Sequence, residues 1–551
     1  QSRSFLPERT LQLAATATAS ALFNERHAAV ERTSALVVRL AAIWQILLGK
    51  EDLPKSATAP CRSGAGSGLL VETTVCGYDH PAASPFRARA HEEERTMLRL
   101  VFRIAAVAHL CLLLNSNLCL CRAEEPRTEN WPQFRGADSS GVSRNTGLPD
   151  KWSATENVEW KTDIPGRGWG SPIVWGDNVF LPTVVNTGTT EPLKKGLYFG
   201  GDRKEIPTSV HEWKVLCLDL TSGKVRWEKT IRTGTPTESI HLKNSYASET
   251  PVTDGERVYF CFGNIGLFCF DFDGEQIWSH ELAPHKTRSG WGTAASPILH
   301  GNTLYFVNDN QEHSSLLALD KLTGEKLWET DRDEKSNWAT PFVWTHDATT
   351  EIVTAGTGAI RSYDLEGNVL WSLKGMSSIT IATPYVADGL LYVSSGYVMD
   401  PIKAVYAIKP GATGDLTLSE GTSSNEFIVW SSTKIAPYNP STIVDDGRLF
   451  VLYDRGLASC FNAKTGETLF ENKRLNRGTE FTASPWSYDG KWFCLNEDGI
   501  CSVIKAGDSL EVLHTNSLAE DDLSLSTPAI AGDRLLIRTD KRVYCIRNSD
   551  K

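Results

Sequence analysis

The stretch Leu317-Ala-Leu-Asp-Lys-Leu-Thr-Gly-Glu-Lys-Leu-Trp328 decides the fold. It reads as a strand ending on Asp320, a turn at Thr323-Gly324 and a second strand ending on Trp328. Asp bonds its own backbone in such turns, and Gly supplies the positive φ. Variants of the hairpin recur. Cys217-Leu-Asp219 leads through Ser222-Gly223 to Trp227, and Cys269-Phe-Asp271 through Asp273-Gly274 to Trp278. Tyr363-Asp364 leads through Glu366-Gly367 to Trp371, and Cys460-Phe-Asn462 through Thr465-Gly466 to Phe470. Five hairpins in register make an internal repeat, which settles the architecture before any single motif does.

Working outward, each unit opens with Ser/Thr-Pro, an apolar run and an Asp-Gly or Gly-Asp turn. The openings are Pro172, Pro251, Pro297, Pro341, Pro384, Thr442 in the Pro position, Pro485 and Pro528. Their spacings are 79, 46, 44, 43, 58, 43 and 43 residues. A period of this length is that of a four-stranded propeller blade. The two long intervals carry insertions, at about 186–212 and about 410–424. The spacing therefore predicts an all-β, eight-bladed β-propeller of four-stranded antiparallel blades over residues 157–548. Seven blades is the alternative if the unit at 485–518, which lacks the hairpin Trp and Thr-Gly, is degenerate. The last unit has no fourth strand, whereas Asn157–Ile164 is a strand without a unit and carries Trp160 at its centre. Pairing the two would close the ring and protect its edges.

The chain has 551 residues, 41% hydrophobic residues and a formal charge of −11. That charge argues against a general nucleic-acid binder. Residues 1–96 begin with Gln1, carry no repeat and read as a non-native or disordered extension; the alternative is an N-terminal domain with a helix at 34–48. Met97 is followed by Arg99 and Arg103, an apolar run at 104–114 and Cys121-Arg-Ala123. This pattern reads as a secretory signal peptide over 97–123, which implies export to the periplasm or cell envelope. Leu120 before Cys121 argues against a lipoprotein anchor. Residues 124–156 read as a linker and lead-in loop. Nothing after them has the roughly 18 unbroken apolar residues of a membrane-spanning helix.

The Asp-x-x-Thr-Gly-x-x-x-Trp hairpin resembles the tryptophan-docking repeat of the PQQ-type (pyrrolo-quinoline quinone) eight-bladed propellers, over about residues 131–548. The resemblance implies one of two classes: quinoprotein dehydrogenases, or non-enzymatic scaffolds such as the propeller of the outer-membrane barrel-assembly machinery. The dehydrogenase class would imply PQQ with Ca2+. Its adjacent-cysteine disulfide and its Cys-x-x-Cys-His motif have no counterpart in this sequence. Its Ca2+ ligands match no motif here, because Asp273, Asp445-Asp446 and Glu497-Asp498 stand beside turns.

Cys217, Cys269, Cys460 and Cys545 share one repeat position with Ala318 and Ala407, a pattern that asks for a small buried group. The pairs Cys261/Cys269 and Cys494/Cys501 could face each other across hairpins; their disulfide state stays open. The repeat tryptophans (160, 227, 278, 328, 371 and 430) read as packing between blades. A different set stands just before the inner strands, at one mouth of the channel: Trp169 between Gly168 and Gly170, Tyr246 after Lys243, Glu249, Trp291 between Gly290 and Gly292, and Trp338 after Asn337. Loops at 186–212 (with Lys194, Lys195 and Tyr198), 308–313 and 396–402 belong to the same face. Trp169, Tyr246, Glu249, Trp291 and Trp338 are the candidate ligand-binding residues; ordinary packing is the alternative for the tryptophans. The expectation is a monomeric, non-catalytic scaffold without a resident cofactor or metal, holding an envelope protein or small ligand at the mouth. In the alternative, a PQQ-dependent oxidoreductase, the quinone would stack on Trp169 or Trp291 with Glu249 beside a metal or acting as base.

Overall fold

A computed structural model describes residues 130–190, 192–197, 205–475 and 480–549. The extension at 1–96, the signal peptide at 97–123 and Tyr198 lie outside the described residues. The rest forms eight sheets, each with four antiparallel strands, one of them extended by a fifth strand that pairs parallel. The inner strands start at Ile173, Val252, Ile298, Phe342, Tyr385, Ile443, Trp486 and Ala529, each directly after an opening residue named above. We number the blades 1 to 8 in that order. Blade 7 is complete although its outer strand has no Trp, with strands Trp486–Tyr488, Lys491–Leu495, Ile500–Lys505 and Val512–Ser517. In blade 8 the outer strand is Val158–Asp163, paired with Arg542–Ile546 so that Trp160 stands opposite Cys545. Both ends of the propeller thus meet in one blade.

Two belts of hydrogen bonds join the blades. In the outer belt an indole crosses to the next blade. Trp160 Nε1 donates to the Leu220 carbonyl at 2.7 Å, Trp227 to Phe272 at 2.8 Å, Trp278 to Lys321 at 2.9 Å, Trp328 to Leu365 at 3.0 Å and Trp430 to Ala463 at 2.7 Å. The ring lies on the turn glycine of that blade. At Gly324 (φ +74°) an added Cβ would stand 2.5 Å from Trp278 Cε3, so this residue is fixed both by its backbone and by its neighbour. The Ala/Cys position is the cross-strand partner of the Trp, as in Cys217↔Trp227, Cys269↔Trp278 and Ala318↔Trp328. A small residue there leaves room for the indole.

The inner belt comes from the Ser/Thr of the Ser/Thr-Pro openings. Ser171 N donates to Thr250 Oγ1, Thr250 N to Ser296 Oγ, and Ser296 N to Thr340 Oγ1. Thr383 N donates to Ser441 Oγ, Ser441 N to Ser484 Oγ, and Ser484 N to Thr527 Oγ1. These bonds measure 2.8–3.1 Å.

The exceptions have visible causes. The 410–424 insertion replaces the tight turn of blade 5. Its strand Gly414–Asp415 runs parallel to the outer strand of blade 4 and covers that edge. Trp371 therefore turns to its own blade and donates to Glu351 Oε2 at 2.7 Å. At the boundary of blades 7 and 8, His514 replaces Trp and its Nε2 donates to the Asp150 carbonyl at 2.6 Å.

The lead-in segment is not a free linker over its described part. Trp131 exchanges two backbone bonds with Val174 of blade 1, and Thr253 N of blade 2 donates to the Pro132 carbonyl. Arg135 Nη2 donates to the Thr442 carbonyl in blade 6, and Gly141 and Ser143 bond Ser487 of blade 7. The segment thereby satisfies inner-strand edges that would otherwise be unpaired in the channel.

All seven described cysteines are free and buried. Cys269 is opposite Tyr259, not Cys261, and Cys494 is opposite Ser502, one residue out of register with Cys501. Neither hairpin presents a cross-strand cysteine pair. Burial pushes the thiols of Cys217, Cys269 and Cys460 up to about 12, so they carry little thiolate at neutral pH.

Replacing Trp278 with Ala removes a docked indole and leaves the Lys321 carbonyl without its donor. The expected cost is about 3–5 kcal/mol, read from the shift of the guanidinium unfolding midpoint; a shift worth under about 1 kcal/mol would show that the belt contributes little. The seven cysteines should resist iodoacetamide in the folded chain and react in denaturant, scored by peptide mapping.

Candidate functional site

The segments that enter the inner strands surround a cavity of about 860 Å3, within the range of small-ligand sites. The inner hydroxyl belt, Ser171 to Thr527, lines it, and Phe134 of the lead-in segment contributes to its lining.

Trp169, Trp291 and Trp338 line this cavity; Tyr246 and Glu249 do not. Trp169 is held by its neighbours. Its Nε1 donates to the Lys243 carbonyl at 2.7 Å, and its ring packs on Leu523 and Leu525. Its flanking glycines answer to close approach: a Cβ on Gly168 would meet the Arg538 guanidinium, and one on Gly170 the Glu249 carbonyl. Arg538 is buried and donates to the carbonyls of Gly170 and Pro182; burial lowers it to about 9. Trp338 Nε1 donates to the Gly292 carbonyl at 2.7 Å. Trp291 is half-buried, and its ring lies 5.7 Å from that of Trp338 at 38°. Packing and cavity lining are therefore the same act for Trp169 and Trp338.

Tyr246 stands behind the wall. Its ring lies 5.5 Å from His211 and 6.3 Å from Trp213, and its hydroxyl donates to the Glu238 carbonyl. Glu249 is 1% exposed. Its Oε1 accepts from Thr293 Oγ1 at 2.6 Å and Gly263 N at 3.1 Å. That makes it a brace between the loops at 263 and 293.

The sequence reading did not single out the opposite wall. Tyr397, in the flagged 396–402 loop, lies 5.1 Å from Tyr438, ring to ring at 56°. The Arg288 guanidinium stands 5.6 Å over the Tyr397 ring, and its Nη1 donates to the Ser378 carbonyl. Lys403 Nζ donates to the carbonyls of Tyr397 and Asp400 at 2.9 and 3.1 Å. All four residues line the cavity. Loop length was a signal for Tyr397 alone; Arg288, Lys403 and Tyr438 lie outside the loops named from the sequence. The 186–212 insertion reaches from blade 1 to the second loop of blade 7. There Gly196 N donates to Glu497 Oε2 at 2.7 Å, Lys195 pairs with Asp498, and Lys243 Nζ meets Glu497 Oε1 at 2.6 Å.

Among the described residues no three of His, Cys, Asp and Glu gather as a metal set. Among the described residues Asp454 is the one carboxylate in the cavity lining. Its oxygens accept from Tyr438 N, Asn439 N and Asn439 Nδ2, and burial nonetheless raises its pKa.

Burial also raises the pKa of Glu249. A carboxyl with a raised folded pKa holds its proton more tightly when folded, so its contribution to stability falls as pH climbs through that pKa. Gln keeps the Oε1 acceptor and removes the titration. The Glu249→Gln protein should therefore lose less Tm than the parent between about pH 5 and 8; an equal loss would exclude Glu249 as a source of the slope.

No curated protein matches the chain. Similar solved structures include BamB from Moraxella catarrhalis, 15% identical over 67% of this chain and 99% of that one, with a TM-score of 0.44. A quinohemoprotein alcohol dehydrogenase from Comamonas testosteroni is 13% identical over 77% of this chain and 81% of that one, with a TM-score of 0.42. The C-terminal WD40 domain of Sif2 is 11% identical over 72% and 99%, with a TM-score of 0.43. Likeness at this level carries no statement about function. The family model described as outer membrane protein assembly factor BamB matches residues 198–330, 267–427 and 415–550, most of the chain, and the protein belongs to that family.

Proposed function

We propose that this protein is an exported, non-catalytic scaffold of the cell envelope, a single chain that holds a partner at the mouth of its channel without a resident cofactor. The observation that carries this reading is the mouth itself. Aromatic faces, the cations Lys243, Arg288, Lys403 and Arg455 and irregular loops converge there on one cavity, whereas the opposite ends of the blades repeat a turn chemistry that only builds the ring. Val398 and Met399, 45% and 58% exposed, stand on its rim and offer apolar surface to a partner. The family description, an assembly factor, points the same way. The basic-apolar-small pattern at 97–123 supports export. Among the described residues no helix is long and apolar enough to cross a membrane.

A quinone oxidoreductase is the second reading, favoured by the exposed face of Trp291 in the cavity. The donor set does not fit a quinone with its calcium. Asp454 has its oxygens engaged by backbone and amide donors. Glu249 lies behind the wall, and among the described residues no cysteine lines the cavity.

Two measurements separate the readings. Titration with PQQ and Ca2+ should give no saturable change in tryptophan fluorescence and no dye reduction with alcohols or sugars; turnover would remove the scaffold reading. Pull-downs from envelope extract should lose about tenfold or more of the specific partner with Trp291→Ala, the effect of a central aromatic anchor. Full recovery by the folded variant would move the docking surface away from the mouth.

A further inference from the structure

The mouth cavity has a chemistry more specific than a generic docking surface. Arg288, in the same turn as Trp291, and Lys403 bracket Tyr397, one above its ring and one on its carbonyl. Neither cation forms an ion pair with a carboxylate among the described residues, although Lys243 on the other side is paired with Glu497. In a chain of net charge −11, two cations left to neutral partners in a partly enclosed site favour an anionic ligand. The aromatic pairs are tilted, Trp291 to Trp338 by 38° and Tyr397 to Tyr438 by 56°. They do not form a parallel slot for a flat ring; they offer separate faces to a puckered one. The inner belt adds two hydroxyls with unmet hydrogen-bonding capacity. Ser171 Oγ and Thr383 Oγ1 are buried without a partner, and both residues line the cavity. They fall at the joints of blades 8/1 and 4/5, where no belt bond is made, on opposite sides of the ring.

We infer that the cavity binds an acidic sugar, a short uronate-bearing saccharide whose carboxylate sits between Arg288 and Lys403 and whose ring C–H faces lie on Trp291 and Tyr397. This rests on the mouth being the binding surface and names the ligand class for it. Arg288 has guanidinium nitrogens left over after Nη1 is spent on Ser378, and guanidinium matches a carboxylate with two parallel donors. A cavity of about 860 Å3 has room for two or three sugar units.

Calorimetric titration of the full chain with trigalacturonate tests this. Binding is expected, weakening at least about tenfold in high salt and lost at least about tenfold in the Arg288→Gln/Lys403→Gln protein, whose unchanged circular dichroism and melting would report an intact fold. Maltotriose, the neutral arm, should bind at least about tenfold more weakly. Absence of trigalacturonate binding, or equal binding of the neutral trimer, overturns the proposal. A tetraglutamate peptide that binds where trigalacturonate does not overturns it in favour of an acidic protein segment. In that case, or when trigalacturonate fails while the pull-down still depends on Trp291, the scaffold reading stands without the sugar. When both fail, the mouth itself is wrong.

Discussion

At five of the eight blade boundaries an indole reaches across and finds both a carbonyl and a bare glycine on the far side. Much of the remaining structure is arranged around that demand. The tryptophan needs a small neighbour on its own sheet, so Cys or Ala stands opposite it in the adjacent strand. It needs an open face on the next blade, so the turn there carries glycine in a left-handed conformation. It needs an acceptor, and the turn residues Leu220, Phe272, Lys321 and Leu365 present theirs outward. Where one condition fails the solution changes locally: Trp371 finds Glu351, and His514 finds Asp150. The hydroxyl belt repeats the logic at small radius, with a serine or threonine oxygen in place of the carbonyl.

A ring held by two belts still leaves its inner strands with unpaired edges facing the channel. The lead-in segment answers this by laying its backbone and Arg135 against blades 1, 2, 6 and 7. Arg135 and Arg538 are both buried with carbonyls as their hydrogen-bond acceptors, and burial lowers their pKa values to about 10 and about 9. Their five-donor fork tethers main chain from separate elements. The same occupation of the channel turns an open pore into a cavity with a floor.

The fold was legible because each of its devices is periodic. Eight openings, a constant interval and an unattached strand at 157–164 specify eight blades and their closure. The cavity was legible only in part. Trp169 and Trp291 stood out through glycines that close backbone and side-chain neighbours require. Tyr246 and Glu249 share their segment with Trp169's partners, but adjacency along a chain does not say which side of a wall a side chain takes. The insertions announced themselves by length, whereas their landing points, on the outer strand of blade 4 and on Glu497, depend on tertiary contacts with no local signature. The cysteine pairs were near each other in sequence and failed by register: Cys494 and Cys501 are one residue out, which changes the face, and Cys261 and Cys269 are two residues out.

The division between the two ends of the propeller follows from what each residue is already committed to. On the Thr-Gly end, aspartates bind their own turns and glycines lie under indoles, so a substitution there disturbs the ring. At the mouth the belt hydroxyls are largely spent, but Arg288, Lys403, Tyr397 and the face of Trp291 retain unspent donors or surface. Chemistry that recognises something outside the chain can arise only from such uncommitted groups. They gather where the 396–402 loop of blade 5 meets the segment that enters blade 3, because there neighbouring segments present different residues to a common space.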